Sequence, residues 1–285
     1  MKSVRTSDIT KNELPKNRTE VFFDCIKLRP LVFFKTGIIV FLGFMPFLII
    51  DFLREATVIK VFAAVSDGAL AAENAERMIR SYMTLFSLFD ILSFIIAGVM
   101  LAGATRVISR LVWSEGVFFM QDLADGVRSN GLFFAVIGLI AGLFTFLFTA
   151  AQGAGEFYDK ALVAIKYAAA ILFAPIAIFA LMETVIYKLG AFAKIKNAAV
   201  LYLKTLPTTL LMLAAIVAPY YLCYIGNMLV RYVALSVFLL FFAPMLLAGA
   251  FLYSSYVFDK FINKDHFPEL YDRGVLGRRE EKENQ

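Results

Sequence analysis

Six long apolar stretches occur along this chain, and each is followed by a charged or turn-rich segment. They run from 31 to 52, 82 to 104, 132 to 152, 161 to 182, 207 to 226 and 232 to 253. Each is close to the roughly 20 residues with which a helix crosses a hydrocarbon layer about 30 Å thick. The composition agrees, since 60% of the residues are hydrophobic and the mean hydropathy is +0.75. The sequence therefore predicts an all-α integral membrane bundle of six transmembrane helices.

The chain divides into three parts. Residues 1–30 form a basic N-terminal segment, residues 31–258 contain the six spans, and residues 259–285 form a charged C-terminal tail. Most of the residues lie in spans and short connections, which leaves no room for a separate soluble domain of about 100 residues. The first 30 residues lack the pattern of a secretory signal. The two cysteines, Cys25 and Cys223, are too far apart in predicted depth to form a disulfide.

Basic residues are distributed unequally between the two sides of the predicted membrane. If both termini are cytoplasmic, 21 of the 28 Lys and Arg residues fall in cytoplasmic segments. Such an excess is typical of the cytoplasmic side. We therefore expect a multi-pass membrane protein with both termini in the cytoplasm. The net charge of +5 is then explained by topology, and we expect the lipid bilayer rather than nucleic acid as the partner.

Three loops contain helical patterns of their own. In the first outer loop, 53–81, Glu73 precedes Arg77 and Glu76 precedes Arg80 by four residues, which predicts a short exposed helix. In the inner loop 105–131, apolar residues between 119 and 127 share one helical side, which predicts an amphipathic helix at the cytoplasmic membrane surface. Residues 188–204 predict a second, more basic interfacial helix.

Prolines fall inside four of the six spans. They are Pro46, Pro175, Pro219 and Pro244, and they free the carbonyls of Leu42, Ile171, Ala215 and Leu240. Gly138 and Gly142 add a GxxxG face to the third span. Two interpretations stay open, namely tight packing with tolerated kinks, or bent helices around a pathway.

Two ionisable residues lie clearly within the predicted spans. Asp90 is about 12 Å and Lys166 about 8 Å from the outer ends of the second and fourth spans, at 1.5 Å per residue. Because an isolated charge in hydrocarbon is costly, we predict that Asp90 and Lys166 pair in the outer half of the membrane. In the alternative, Lys166 extends outward to the interface, and Asp90 bonds a neighbour or water.

Tyrosines cluster around the outer turn between the fifth and sixth spans. They are Tyr220, Tyr221, Tyr224 and Tyr232. An interfacial aromatic belt and a sugar-stacking platform would both use these residues.

Catalytic motifs are absent from the sequence. HExxH, GxSxG, SxxK and P-loop patterns do not occur, and the single histidine, His266, lies in the C-terminal tail. We expect no enzyme activity, no cofactor and no metal site.

The inner loop resembles a known family. The run Arg110-Leu111-Val112-Trp113-Ser114-Glu115, then Phe119, Asp122, Gly126 and Asn130, is similar to a loop of the YesL-like family of bacterial membrane proteins. The runs Lys196-Asn197-Ala198-Ala199, Leu206-Pro207 and Phe258-Asp259-Lys260-Phe261-Ile262-Asn263 resemble the same group. No activity is established for that family, and its members are suspected of assisting carbohydrate uptake. The resemblance implies a transport-related component or accessory subunit in the cytoplasmic (plasma) membrane of a bacterium.

Two classes of function therefore remain. The first is a transport-related component whose inner loops contact a cytoplasmic protein, and the second is a scaffold or regulator that does not transport. The loop motif carries the candidate residues, which are Arg110, Trp113, Glu115, Asp122 and Asn130. It either fixes the inner helix, with Arg110 in reach of Glu115 or Glu183, or it docks the partner.

Overall fold

The computed structural model describes residues 14–153, 155–224 and 226–275, and within them the chain is helical without a β-strand. The helices are α1 (Arg18–Leu28), α2 (Pro30–Ser66), α3 (Ala72–Val112), α4 (Phe119–Ala150), α5 (Glu156–Ile186), α6 (Ala191–Lys204), α7 (Leu206–Leu222), α8 (Met228–Val237), α9 (Ala243–Phe258) and α10 (Lys264–His266). Two π-helical segments, Phe238–Phe242 and Asp259–Asn263, join α8, α9 and α10 into one continuous helix from Met228 to His266.

The predicted multi-pass helical bundle is confirmed. Five helices are long and apolar enough to cross a membrane, namely α2, α3, α4, α5 and the helix from Met228 to His266. The fifth predicted span, 207–226, corresponds to α7, which passes as a sixth membrane-crossing element only together with α6, and the two helices are bent by 100° relative to each other. The bend lies at Thr205, between the two helices.

Two helices extend well beyond the predicted spans. α2 has 37 residues and α3 has 41, which at 1.5 Å per residue makes them roughly twice as long as the hydrocarbon layer is thick. The predicted exposed helix is the first part of α3, where the Glu73–Arg77 and Glu76–Arg80 pairs measure 2.8 and 3.1 Å. We call this end of the bundle, with the turn at 67–71, the hairpin end. The opposite end, with α1 and residues 267–275, is the terminal end.

The prediction of a separate interfacial helix in the inner loop 105–131 is wrong. Residues 119–128 are the first turns of α4, which continues without a break to Ala150. Leu123 and Val127 pack against Gly103 of α3, and a Cβ at Gly126 would lie 2.9 Å from the Ala102 carbonyl oxygen. The apolar side therefore faces another helix. A one-sided apolar pattern has the same period whether it packs on protein or on lipid.

The second predicted interfacial helix exists as α6, but it runs back along α5. The Tyr202 hydroxyl donates to the Ile171 carbonyl at 3.1 Å, which is the carbonyl that Pro175 leaves free. Ile171 lies about 22 Å along the axis from the end of α5 at Ile186. α6 therefore packs beside α5 instead of lying across its end.

A second carbonyl freed by proline lies where α2 crosses the last long helix. Pro244 removes the donor for the Leu240 carbonyl, and the helix widens there into the π-helical segment Phe238–Phe242. Gly37 of α2 packs on this carbonyl so closely that a Cβ would lie 1.8 Å from the oxygen. Glycine at position 37 thus permits the crossing.

Candidate functional site

Charged side chains from three helices meet inside the bundle at the hairpin end. We call them the hairpin-end cluster, which consists of Asp51, Arg54 and Glu55 of α2, Asp90 of α3, and Arg231 and Tyr232 of α8. Arg54 donates to the carboxylates of Asp90 and, at 3.1 Å, Asp51. Arg231 donates to Glu55 at 2.8 Å, and the Tyr232 hydroxyl donates to Asp51 at 2.9 Å. The cluster ties α2, α3 and α8 together.

The predicted partner of Asp90 is wrong. Asp90 is fully buried and pairs with Arg54, whereas Lys166 lies half-exposed on α5 and forms no ion pair with it. α3 packs along α2 over most of its length but touches α5 along only a short stretch. Because α2 remains helical beyond Phe52, it carries Arg54 to the level of Asp90. The sequence signal for this was Asp51, Arg54 and Glu55, spaced for one helical face.

The hairpin-end cluster is not fully compensated. Three carboxylates face two guanidinium groups, and Asp90 Oδ1, Arg54 Nε and Arg231 Nε are buried without a hydrogen-bond partner in the described part of the chain. Within the same ranges, no group of three His, Cys, Asp or Glu side chains is placed to hold a metal ion. The buried carboxylate of Asp90 therefore has one oxygen, Oδ1, that can still accept a hydrogen bond.

A central cavity of about 480 Å³ lies between the helices. The five long helices and α7 all contribute to its lining, for example through Phe47, Phe94, Phe134, Met182, Tyr220 and Leu239. Apart from Thr105 and Tyr220, the lining side chains are apolar. Both of these hydroxyls are already bonded, Thr105 to the Leu101 carbonyl at 2.7 Å and Tyr220 to Tyr224 at 2.6 Å. The volume falls within the range of about 300–1,000 Å³ typical of small-ligand sites.

Tyrosines connect the central cavity to the hairpin-end cluster. The Tyr220 hydroxyl bonds Tyr224, whose ring lies 5.1 Å from the Arg231 guanidinium, and Tyr232 bonds Asp51. Tyr221 is 53% exposed, as an interfacial belt requires. Tyr220, Tyr224 and Tyr232 are thus hydrogen-bonded within the bundle, whereas Tyr221 faces outward. The interfacial belt and the sugar-stacking platform both stay predictions.

At the terminal end, the inner loop forms a compact ionic network. α3 ends in a Schellman motif, in which Glu115 N–H donates to the Arg110 carbonyl, Ser114 N–H donates to the Leu111 carbonyl, and Ser114 has φ of 57°. This turn brings Glu115 to within 3.2 Å of Arg110, which also lies 3.4 Å from Asp122. Asp122 in turn accepts the Phe118 N–H at 2.8 Å, which caps α4.

The chain's own C-terminal segment covers this loop. Arg273 donates to Glu115, and its guanidinium lies 4.1 Å from the centre of the Trp113 ring. Trp113 packs edge-on against Phe251 of α9 at 5.6 Å. Gly274, with φ of 88°, approaches the Val112 carbonyl so closely that a Cβ would lie 2.5 Å from the oxygen. Four of the five predicted loop residues therefore meet.

Asn130, the fifth predicted loop residue, lies elsewhere. It is buried on α4, eight residues after Asp122, which places it about 12 Å further along the helix. The sequence spacing alone could not exclude it, because the loop was predicted to be longer than it is.

Glu183 is a second buried carboxylate. It lies near the terminal end of α5, is 0% exposed, and neither of its oxygens has a hydrogen-bond partner in the described ranges. The Asn197 amide and the Lys194 ammonium of α6 approach it, and Lys194 also lies 5.1 Å from the Phe133 ring. Arg110, considered as a partner from the sequence, pairs with Glu115 and Asp122 instead.

Comparison with protein-family models, curated proteins and solved structures finds no match to this chain. The function is therefore argued from its own residues.

Proposed function

We propose that this chain is a transport-related component of its membrane and that the central cavity holds the cargo. The observation that carries the proposal is the central cavity itself, which is lined by the five long helices and α7. The hairpin-end cluster lies beyond the tyrosines at one end of this cavity. Buried charges in membrane helices face bundle interiors and mark pathways or relays. The π-helical segment in the cavity wall, Phe238–Phe242, is of a kind found frequently at functional sites.

The cavity lining favours an apolar or amphipathic cargo over a free sugar. A sugar hydroxyl would find only the hydroxyls of Thr105 and Tyr220, both already bonded. Each unpaired hydroxyl would cost about 1–3 kcal/mol on leaving water. The resemblance to YesL-like proteins and a role in carbohydrate uptake stay separate proposals, and the apolar lining gives the latter no support.

The alternative, a membrane scaffold that does not transport, predicts a cavity that never opens to water. Docking of a cytoplasmic protein on the inner loop has less support, since Arg273 and Gly274 cover Trp113 and Val112.

Cysteine accessibility separates these functions. Leu239→Cys and Ala243→Cys face the cavity, and Phe241→Cys on the same segment is the control, because Phe241 is 49% exposed on the outside of the bundle. The background carries Cys25→Ala and Cys223→Ala, and a charged methanethiosulfonate is added to spheroplasts and to inverted vesicles. We expect labelling of the two cavity positions from at least one side and none at position 241. Cavity cysteines as unreactive as the control from both sides, yet labelled after denaturation, favour the scaffold.

A further inference from the structure

A groove separate from the central cavity lies at the terminal end. It has a volume of about 880 Å³ and runs between α1, α9 and the C-terminal segment, with Arg18, Phe22, Phe23, Gly249, Lys260 and Lys264 among its lining residues. A second cavity, of about 320 Å³, shares Phe22 and Gly249 with it and is otherwise lined by apolar residues of α7 and of the last long helix as far as Phe242. Together they form one continuous trough.

The trough changes in chemistry along its length. Near Phe242 and Gly249, inside the predicted sixth span, it is apolar, and a Cβ at Gly249 would meet nothing within 4 Å. At the other end, Lys260 and Lys264 are exposed and share a helix face at a spacing of four residues. From Phe242 to Lys264 the trough follows about 33 Å of helix, which exceeds the length of one acyl chain with its headgroup.

Among the charged residues that line the groove, the basic Arg18, Lys260 and Lys264 outnumber the acidic Asp259 and Asp272 by one. Arg18 donates to Asp259, and Asp259 also accepts from Asn263 at 2.7 Å and from the Asp272 N–H at 3.3 Å. That carboxylate is therefore already satisfied. In the described ranges neither lysine forms an ion pair, and Lys260 lies 5.3 Å from the Phe261 ring.

We propose that the trough binds a phospholipid with an anionic headgroup, with its phosphate at Lys260 and Lys264 and one acyl chain along Gly249. Lysines next to a membrane helix attract anionic lipids, and in the predicted orientation this end faces the leaflet where such lipids are enriched. The site stands whether or not the chain transports, because Leu246 and Ala250 lie between the trough and the central cavity and line both.

The test uses the full chain purified in detergent, with phosphatidylglycerol and phosphatidylcholine of identical acyl chains as probes and retained lipid measured by native mass spectrometry. We expect phosphatidylglycerol to bind about tenfold more tightly, which lies between the roughly fivefold effect of one surface lysine and the roughly thirtyfold effect of two. Lys260→Gln with Lys264→Gln should abolish this preference while binding of phosphatidylcholine persists. The matched control is Lys188→Gln with Lys196→Gln, two exposed lysines at the same end, and it should retain the preference.

Two further arms separate the lipid from other ligands. Gly249→Leu fills the open trough and should weaken the binding of both lipids, since it blocks the site of the acyl chain and not that of the headgroup. Inorganic phosphate at millimolar concentration should not displace phosphatidylglycerol. Equal binding of the two lipids, an unchanged preference in the Lys260/Lys264 variant, or displacement by phosphate would each overturn the proposal.

Discussion

Asp90 is a fully buried carboxylate whose charge is balanced chiefly by one guanidinium group, that of Arg54. Removing one partner of a buried pair leaves an uncompensated charge, which costs about 3–5 kcal/mol. Arg54→Met should therefore strongly lower the free energy of unfolding, measured by denaturant titration in mixed micelles. The double variant Arg54→Met with Asp90→Asn should regain part of the loss.

The exposed pair of Glu73 and Arg77 is the control for this cycle. Their side chains are 78% and 76% exposed, and such pairs contribute about 0–1 kcal/mol. Arg77→Met should thus change stability little. If the effects of the Arg54 and Asp90 substitutions simply add, the two side chains are not coupled and the cluster does not hold the helices together.

Ser114 adopts a backbone conformation that favours glycine. Its φ of 57° closes the Schellman motif at the end of α3, and the left-handed region costs a residue with a side chain roughly 1–2 kcal/mol. Ser114→Gly should raise the unfolding free energy by about 1 kcal/mol, seen as a higher melting temperature in detergent. A lower melting temperature would mean that the Ser114 side chain makes a contact that outweighs the strain.

At the scale of helices, the prolines were the most informative residues of the sequence. Pro175 and Pro244 indicated which carbonyls would lack a helical donor, and the structure places the Tyr202 hydroxyl on one and Gly37 on the other. Which group would fill each position could not be predicted, because the partners lie 31 residues further along the chain in one case and in the first span in the other.

The crossing at Gly37 gives a prediction with a matched control. Gly37→Ala would place a methyl group 1.8 Å from the Leu240 carbonyl oxygen, and the backbone must move to relieve it. We expect a loss of about 1–3 kcal/mol of stability. Gly249→Ala, also in a membrane helix but with open space around its Cβ, should be neutral or slightly stabilising. Equal effects of the two substitutions would mean that α2 does not cross at this point.

At the scale of the whole molecule, apolar length predicted a multi-pass helical bundle and the order of its long helices, because crossing a hydrocarbon layer demands such length. It did not predict where they end. α2 and α3 continue past their predicted spans at the hairpin end, and that extension brings Arg54 to Asp90. Contacts between distant helices, such as Arg273 with Glu115, depend on packing that no local pattern records.

The orientation of the bundle is the last prediction. The excess of basic residues places the terminal end in the cytoplasm, and the structure supplies exposed positions at both ends, Asp67 in the hairpin turn and Lys188 between α5 and α6. In intact cells an impermeant maleimide should label Asp67→Cys and miss Lys188→Cys, and permeabilisation should expose both. Burial raises the pKa of the Cys25 thiol to about 11, so this native cysteine holds little thiolate at neutral pH and contributes little background. Labelling of Lys188→Cys alone in intact cells would show that the orientation is the opposite of the predicted one. The lysines of the trough would then face the outer leaflet.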